Sequence, residues 1–322
     1  MMQIALIGVG AGAASALLFA SFTTGSRLAV VLFYLAPLPI MIAGLGWSHW
    51  GAAVAAAAGT IIIGLVFSPV YFMAFLAGVC VPAWWLSYLT LLARPSGTNG
   101  TATLEWYPPG RLVAWAAALG ALVVLAAMPF IGLDAESFRA NLSQALNEML
   151  VQQTAGSATA LGIPDVKRLV SFLVEVLPPS AAVIAALTNT LNLWLAGRIV
   201  RLSGRLTRPW PDIQSMTFPA TVSWTLAVAL ALTFAGGMVA IVATVVSAAL
   251  LMAYGFLGFA VLHSITQGMS ARGFLLGGAY AAVLVIAWPL IGLCLLGLAD
   301  VMLDLRGRAA ARRGPPRPPA RT

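Results

Sequence analysis

Charged residues are scarce in this chain. They make up 8% of its 322 residues, against about 25% in ordinary globular proteins. No Lys, Arg, Asp or Glu occurs in the 66 residues from Leu28 to Ala93, and none occurs from Ile213 to Ala271. These runs exclude a soluble domain, because its surface must meet water, whereas a bilayer crossing needs about 20 apolar residues. The chain is therefore predicted to be a polytopic membrane protein.

Residues that carry chemistry are also few. The two histidines, His49 and His263, lie far apart, and both cysteines, Cys80 and Cys294, lie inside apolar runs. Ionisable side chains are costly inside a bilayer and are kept there for a purpose, yet the first five apolar runs contain none. With no HExxH, GxSxG or CxxC motif, the sequence predicts no catalytic residue, no metal site and no cofactor. We expect a protein that is not an enzyme.

The net charge of +8 comes almost entirely from arginine, since Lys167 is the only lysine. Basic residues beside membrane spans keep loops on the cytoplasmic side, so no nucleic-acid partner is expected, and the lipid bilayer is the predicted environment. Residues 1–22 lack a basic segment, which favours a retained first span in a bacterial inner membrane over a cleaved signal. Six arginines in residues 306–322 predict a basic, proline-rich disordered tail.

Apolar segments bounded by charges or turn residues predict an all-α bundle of eight or nine spans in a single transmembrane domain, residues 1–305. An amphipathic helix is expected at Asp134–Gln153, where Phe138, Leu142, Ala145 and Met149 recur at helical spacing. Pro178-Pro179 is expected to interrupt a helix before the sixth span. The predicted spans are Ile4–Phe22, Leu28–Trp47, Gly51–Phe67, Val70–Ala93, Leu112–Gly132, Ser180–Gly197, Ala220–Ala235, Met238–Leu262 and Phe274–Ala299.

The positive-inside rule leaves one conflict in this topology. A cytoplasmic N-terminus places Arg94–Arg111, the arginines of 198–208 and Arg272 on the cytoplasmic side, and it places the more acidic segment 133–166 outside. Nine spans would then put the arginine-rich tail outside as well. Either a late segment does not cross fully, with Gly236-Gly237 and Pro289 as possible breaks, or the tail is translocated.

Two prolines in the second span mark a candidate ligand or packing site. Pro37 and Pro39 free backbone carbonyls that hydrocarbon cannot satisfy. Asn189 and Asn192 share one face of the sixth span and carry donors that need partners. We expect these spans to be neighbours, with Asn189 facing the break. Direct contact would indicate structural packing, and a gap of ligand size would indicate a binding pocket.

Three other patterns have two interpretations each. Gly8, Gly12 and Ala16 form a stripe of small residues that either packs internally or docks a partner membrane protein. Glu105, Trp106 and Arg111 belong to a polar loop, Arg94–Arg111, that either anchors the chain at the interface or contacts a partner. The third pattern is a basic helical face with Arg198, Arg201 and Arg205. Either contact with anionic lipid or the positive-inside rule explains it without a specific ligand.

Three stretches, taken in order, resemble the YybS-like family of predicted bacterial membrane proteins. They are Tyr34–Pro39 with Gly44–Gly46, then Asn192–Arg198, and finally Gly297–Asp300 with Asp304–Arg306. The resemblance covers most of Met1–Arg308 and implies an architecture, since the family has no established activity. The proline-bearing second span, the glycine-rich turn into the small-residue third span (Gly51–Gly64) and Gly78 in the fourth span carry a more distant similarity. In these features residues 1–200 resemble S components, the substrate-binding subunits of energy-coupling-factor transporters, with residues 209–305 as additional spans.

Two functions follow from these features. A small-molecule-binding or transport-related subunit with an S-component-like core would have a cavity between the second, fourth and sixth spans, opening outward. A structural or assembly protein of the cell envelope would be tightly packed, with an exposed, ordered Glu105–Arg111 loop and membrane-protein partners. The identity of any small-molecule ligand is not encoded in a recognisable motif.

Overall fold

A computed structural model describes residues 2–96, 103–153 and 166–313, and these residues are almost entirely helical. Fourteen α-helices, two short 3₁₀ helices, one π-helical turn and one short hairpin account for the described regular structure, which confirms the all-α prediction. The helices are α1 Met2–Ala20, α2 Arg27–Tyr34, α3 Pro37–Gly46, α4 His49–Val66, α5 Pro69–Phe75, α6 Val81–Leu91, α7 Pro109–Ile131, α8 Ala135–Gln153, α9 Val166–Leu202, α10 Ala220–Leu232, α11 Gly237–Ile265, α12 Arg272–Ile286, α13 Pro289–Leu303 and α14 Leu305–Arg313; the strands are β1 Ala93–Ser96 and β2 Thr103–Trp106.

Within the described ranges, seven helical segments are long and apolar enough to cross a membrane. Three further apolar helices, α10, α12 and α13, are shorter. The seven segments are Met2–Thr24, Arg27–Gly46, His49–Val66, Pro69–Leu91, Pro109–Ile131, Val166–Leu202 and Gly237–Ile265. The chain is thus a polytopic helical bundle, as the apolar runs predict.

Two apolar cores fill the bundle. In the first core, α1, α4 and α6 pack around α3, in which Ile40 and Met41 are fully buried. The second gathers α7, α10 and α11 around the fully buried Tyr254 of α11. Helix α9 joins them, because Ala196 belongs to the first core and Ala186 to the second.

Helix α9 corrects one prediction, since Pro178 and Pro179 lie within it and do not end it. A proline φ is compatible with a helix, and the cost is a few missing backbone hydrogen bonds. Pro178 is buried in the bundle and Ala182 packs against α7, so tertiary contacts hold the helix continuous. Its 37 residues span about 55 Å, which exceeds the hydrocarbon thickness of about 30 Å.

The predicted ninth span, Phe274–Ala299, is not one helix. The chain breaks at Ala287, whose φ is +61°, directly before Trp288-Pro289. Proline has no N–H to donate to the carbonyl four residues earlier, and Pro289 stands in the first turn of α13, where no such donor is needed, so the break falls just before Pro289. The two halves, α12 and α13, have 15 residues each, or about 22 Å, too short to span about 30 Å of hydrocarbon.

The contacts of α13 show that this hairpin turns back. Leu290, at the start of α13, lies beside Gly255 near the middle of α11. Arg306, just after its end, donates to the carbonyls of Gln214 and Met216. Gln214 is hydrogen-bonded to Gln267, just beyond the end of α11. The hairpin therefore enters the bundle and leaves it on the side where α11 ends.

This return resolves the topology conflict. The extended residues 216–219 lead into α10 beside Tyr254 of α11, where Phe218 packs against the tyrosine ring. Helix α10 has only 13 residues, but the extended residues 216–219 lengthen the path from the side of Arg306 to the far end of α11. Counted with α10, the chain makes eight passages through the bundle, and the α12–α13 hairpin adds none. We call the side that holds Trp47, Thr90, Arg205 and Arg272 the arginine side. Residues 2 and 313, the first and last described residues, both lie on the arginine side, as the prediction of a cytoplasmic arginine side requires.

Two elements outside the spans differ from expectation in detail. Residues 305–313 form α14 instead of the disordered chain expected from 306 onward, because the Arg306 side chain ties this segment to the bundle; residues 314–322 lie outside the described residues. Helix α8 forms where the amphipathic helix is expected. Its apolar face is only partly used, since Phe138 is buried whereas Met149 is 56% exposed.

Candidate functional site

The second span is interrupted between α2 and α3, where Leu35 and Ala36 form a tight turn. The N–H of Ala36 donates to Phe33 O at 3.1 Å, and the N–H of Leu38 donates to Leu35 O at 3.0 Å. In a regular helix Leu38 would donate to Tyr34 O instead. The turn therefore leaves the Tyr34 carbonyl to be satisfied by another part of the molecule.

Two neighbouring helices supply donors at this break. The Asn192 side-chain amide on α9 donates to Tyr34 O at 2.8 Å, and the Ser15 hydroxyl on α1 donates to Ala36 O at 2.6 Å. Both side chains are buried, with 3% and 0% of their area exposed. The predicted neighbourhood of the second and sixth spans is confirmed, and the contact is direct.

The prediction that Asn189 faces the break is wrong, because Asn192 occupies that place. Asn189 is also buried, but its amide donates to Ala116 O of α7 at 3.3 Å. Positions three apart on a helix differ by about 60° around its axis, which is enough for Asn189 and Asn192 to reach different neighbours. Asn192 also donates to Thr188 O at 2.9 Å within its own helix. Its carbonyl oxygen is buried without a partner among the described residues.

About two turns beyond the break, toward the arginine side, the neighbouring helices pack closely. A Cβ added to Gly44 of α3 would lie 2.6 Å from the Cβ of Ser87 on α6, and one added to Gly46 would lie 3.6 Å from Val200 on α9. At the break itself Pro37 is buried and Pro39 is half-buried. Helices α3, α6 and α9 are therefore in van der Waals contact at the arginine-side end of α3.

A second interruption lies in the fourth span. Residues Leu76–Cys80 form a π-helical turn between α5 and α6, and Pro82 follows it. Cys80 Sγ lies 3.3 Å from the Thr60 hydroxyl and 3.6 Å from Ala56 O of α4. Sequence reasoning missed this feature, although Pro82 inside the predicted Val70–Ala93 span was a signal for it, since a proline lacks the N–H of a regular helix.

The small-residue stripe of α1 is occupied by α4, so the partner-docking interpretation is wrong. A Cβ on Gly12 would collide with Ala55 O and lie 2.9 Å from Gly59 N. A Cβ on Gly8 would lie 2.7 Å from Val54, and Ala16 is 1% exposed. This close backbone approach is what small residues permit between membrane helices. Gly10 points away and has open space around its Cβ position.

The predicted Arg94–Arg111 loop contains the β1–β2 hairpin, in which Arg94 pairs with Glu105 across the strands. Their side chains form an exposed ion pair at 2.8 Å. The Arg94 hydrogen bond, together with its charge, lowers the pKa of the Glu105 carboxyl. Trp106 is half-buried at the end of β2, and the Arg111 guanidinium lies 6.0 Å from the centre of the Tyr107 ring. The described parts of this loop, residues 94–96 and 103–111, thus form an ordered structure with an exposed ion pair on the arginine side.

Sequence reasoning did not single out the buried ion pair between Asp300 and Arg306. Asp300, at the end of α13, is 3% exposed and lies 2.6 Å from Arg306. The Arg306 guanidinium also donates to Gln214 O at 2.7 Å and to Met216 O at 2.9 Å. This arrangement fixes the end of the α12–α13 hairpin to the segment before α10. The signal was present, since both residues belong to the third stretch that carries the family resemblance.

Comparison with known proteins gives a family and nothing finer. A protein-family model described as a predicted membrane protein (DUF2232) matches residues 13–301. The chain belongs to this family. No curated protein and no solved structure matches it. The matched range holds the break in the second span with its partners Ser15 and Asn192, and it extends through Asp300 of the α13 ion pair.

Proposed function

We propose that this DUF2232 protein is a structural or assembly component of a bacterial inner membrane, acting through contacts with other membrane proteins and not through catalysis. The observation that carries this proposal is that buried polar side chains of the interior bind the protein's own backbone. At the break, the Asn192 amide donates to a backbone carbonyl of α2, and the Ser15 hydroxyl donates to one in the turn between α2 and α3. Toward the arginine side, α3, α6 and α9 pack closely against one another.

The surfaces outside the core give positions at which contacts with other membrane proteins can be tested. Helix α12 has no buried residue along its length, and Leu284 is 85% exposed, as is ordinary for a lipid-facing helix. The β1–β2 hairpin lies outside the spans and presents Leu104 with 60% of its area exposed. A single exposed apolar side chain is normal on a protein surface, so Leu104 serves as a probe position for the assembly proposal.

A transport-related subunit with an S-component-like core is the second candidate. The observation in its favour is the pair of interruptions in adjacent spans, the Leu35–Ala36 turn and the π-helical Leu76–Cys80 segment. Interrupted helices hold ligands in many transporters, and π-helical turns are frequent at functional sites. A ligand could enter between these two interruptions only if the second and fourth spans separated.

Photocrosslinking in native membranes separates the candidates. A photoreactive residue at Leu104 on the hairpin is compared with one at Leu17, a lipid-facing position of α1 that is 74% exposed. We expect a defined protein adduct from position 104 and lipid adducts from position 17. Envelope-synthesis or division proteins in the adduct would support the proposal. An ATPase with a coupling subunit, or a small molecule retained by the purified protein, would support the transport candidate instead.

A further inference from the structure

Four arginines surround the end of α9 on the arginine side, and no carboxylate of the described residues lies within salt-bridge distance of them. They are Arg198, Arg201, Arg205 and Arg208. The described ion pairs are Arg94–Glu105 and Arg306–Asp300, both elsewhere. The nearest acid in sequence, Asp212, caps the backbone N–H of Gln214 at 3.0 Å. The four charges are therefore concentrated without neutralisation by this part of the protein.

Two tryptophan rings hold three of these guanidinium groups in place. The guanidinium carbons of Arg198 and Arg201 lie 5.4 and 5.1 Å from the centre of the Trp210 ring, and that of Arg205 lies 4.6 Å from the centre of the Trp47 ring. Trp210 also packs against Gly197, which leaves room for the ring on the surface of α9. Stacking restricts the guanidinium planes but does not use their N–H donors, of which each arginine has five.

The fourth arginine is buried. Arg208 is 6% exposed and donates to Thr90 O at 3.3 Å. Its burial lowers the pKa of its guanidinium. A buried cation is costly unless an anion compensates it. Trp47 and Thr90 each lie three residues beyond the Gly44–Ser87 contact of α3 and α6, so the partners of Arg205 and Arg208 occur at the same level of the bundle.

We propose that this arginine–tryptophan cluster binds the phosphate group of an anionic phospholipid at the arginine side of the membrane. Guanidinium groups bind phosphate oxygens in pairs of parallel hydrogen bonds, and anionic headgroups attract basic residues beside membrane spans. Tryptophan rings favour the headgroup level, which places the donors at the depth of a lipid phosphate. This ligand site goes beyond the proposed assembly function, because it does not depend on any protein partner.

Native mass spectrometry of the purified full-length protein tests the proposal with phosphatidylglycerol, phosphatidylcholine and soluble glycerol phosphate as probes. We expect phosphatidylglycerol to be retained and phosphatidylcholine to be released. Each interfacial charge contributes about fivefold to affinity, so the double variant R198Q/R201Q should bind phosphatidylglycerol roughly thirtyfold more weakly. Retention of glycerol phosphate at equal affinity would keep the phosphate site and assign it a soluble ligand.

The matched control is Arg111→Gln, which removes an exposed, ring-stacked arginine on the same side but outside the cluster. Its lipid retention should equal that of the unmodified protein. A second variant, R198K/R201K, keeps both charges and removes the planar donors, and we expect an intermediate loss. Circular dichroism and gel filtration establish that each variant is folded. Equal retention of both phospholipids, or equal losses in R198Q/R201Q and Arg111→Gln, would overturn the proposal.

Discussion

Removal of the Asn192 amide tests whether the break in the second span is stabilised from α9. In Asn192→Ala the Tyr34 carbonyl loses its donor at 2.8 Å. An unsatisfied buried acceptor costs about 1–3 kcal/mol in soluble proteins, whereas hydrogen bonds between membrane helices average about 0.6 kcal/mol. The variant also removes an amide oxygen that is buried without a partner, which offsets part of the loss. We expect a net destabilisation of about 1 kcal/mol.

Asn189→Ala is the matched control, since Asn189 is equally buried on the same helix. Its hydrogen bond to Ala116 O is longer, at 3.3 Å, and Ala116 lies inside the regular helix α7, where its carbonyl can accept a backbone N–H. The destabilisation should therefore be smaller, below about 0.6 kcal/mol. Unfolding in mixed micelles of increasing SDS content, followed by far-ultraviolet circular dichroism, measures both values.

A double-mutant cycle makes the test specific to the proline break. Replacing Pro37 and Pro39 by alanine restores two N–H groups, so α2 and α3 can join and Leu38 can donate to Tyr34 O. In that background Asn192→Ala should cost less, with a coupling of at least about 0.5 kcal/mol between the sites. Equal costs of Asn192→Ala in both backgrounds, or a cost no greater than that of Asn189→Ala, would refute the reasoning.

Three further outcomes follow from the packing and the topology. Gly12→Leu should abolish folded protein in detergent, as judged by gel filtration, because its Cβ would meet the α4 backbone, whereas Gly10→Leu should remain folded because its Cβ has open space; a folded Gly12→Leu would contradict the α1–α4 contact. Asp300→Ala should destabilise the fold by about 3 kcal/mol in the same SDS titration, since it leaves a mostly buried Arg306 without its partner, and an unchanged midpoint would count against the ion pair. Single cysteines at Ser203 and Ala310 should be labelled by impermeant reagents from the same side of the membrane, the cytoplasmic side, and labelling from opposite sides would show that the α12–α13 segment crosses.

The phosphate proposal and the assembly proposal fail independently. Unchanged lipid retention in R198Q/R201Q would refute the phosphate proposal and leave the crosslinking result at Leu104 untouched, since that residue lies on the β1–β2 hairpin. Conversely, a transport complex recovered by crosslinking would not affect the headgroup site at the end of α9. The stability experiments on Asn192 concern the core alone and are informative under either function.

Hydrophobicity and charge determined the general architecture from the sequence. A charge-free run as long as Leu28–Ala93 cannot form the surface of a water-soluble domain. In hydrocarbon the backbone must satisfy its polar groups internally, so such apolar spans form helices. Arginine placement predicted which loops share a side. The prolines at 37 and 39 predicted a break in the second span, and Pro289 was one of two candidate breaks late in the chain.

Only the tertiary structure decided which surfaces meet. Asn189 and Asn192 look equivalent in sequence, and a difference of about 60° around the helix axis sends one to α7 and the other to the break. The Gly8–Gly12–Ala16 stripe is suited to close packing with any helix, and the fold gives that place to α4. Pro289 ends a helix in either topology, but the fit of α13 along α11 and the Asp300–Arg306 pair return the chain to the arginine side. These outcomes depend on contacts between residues distant in sequence, which local patterns do not encode.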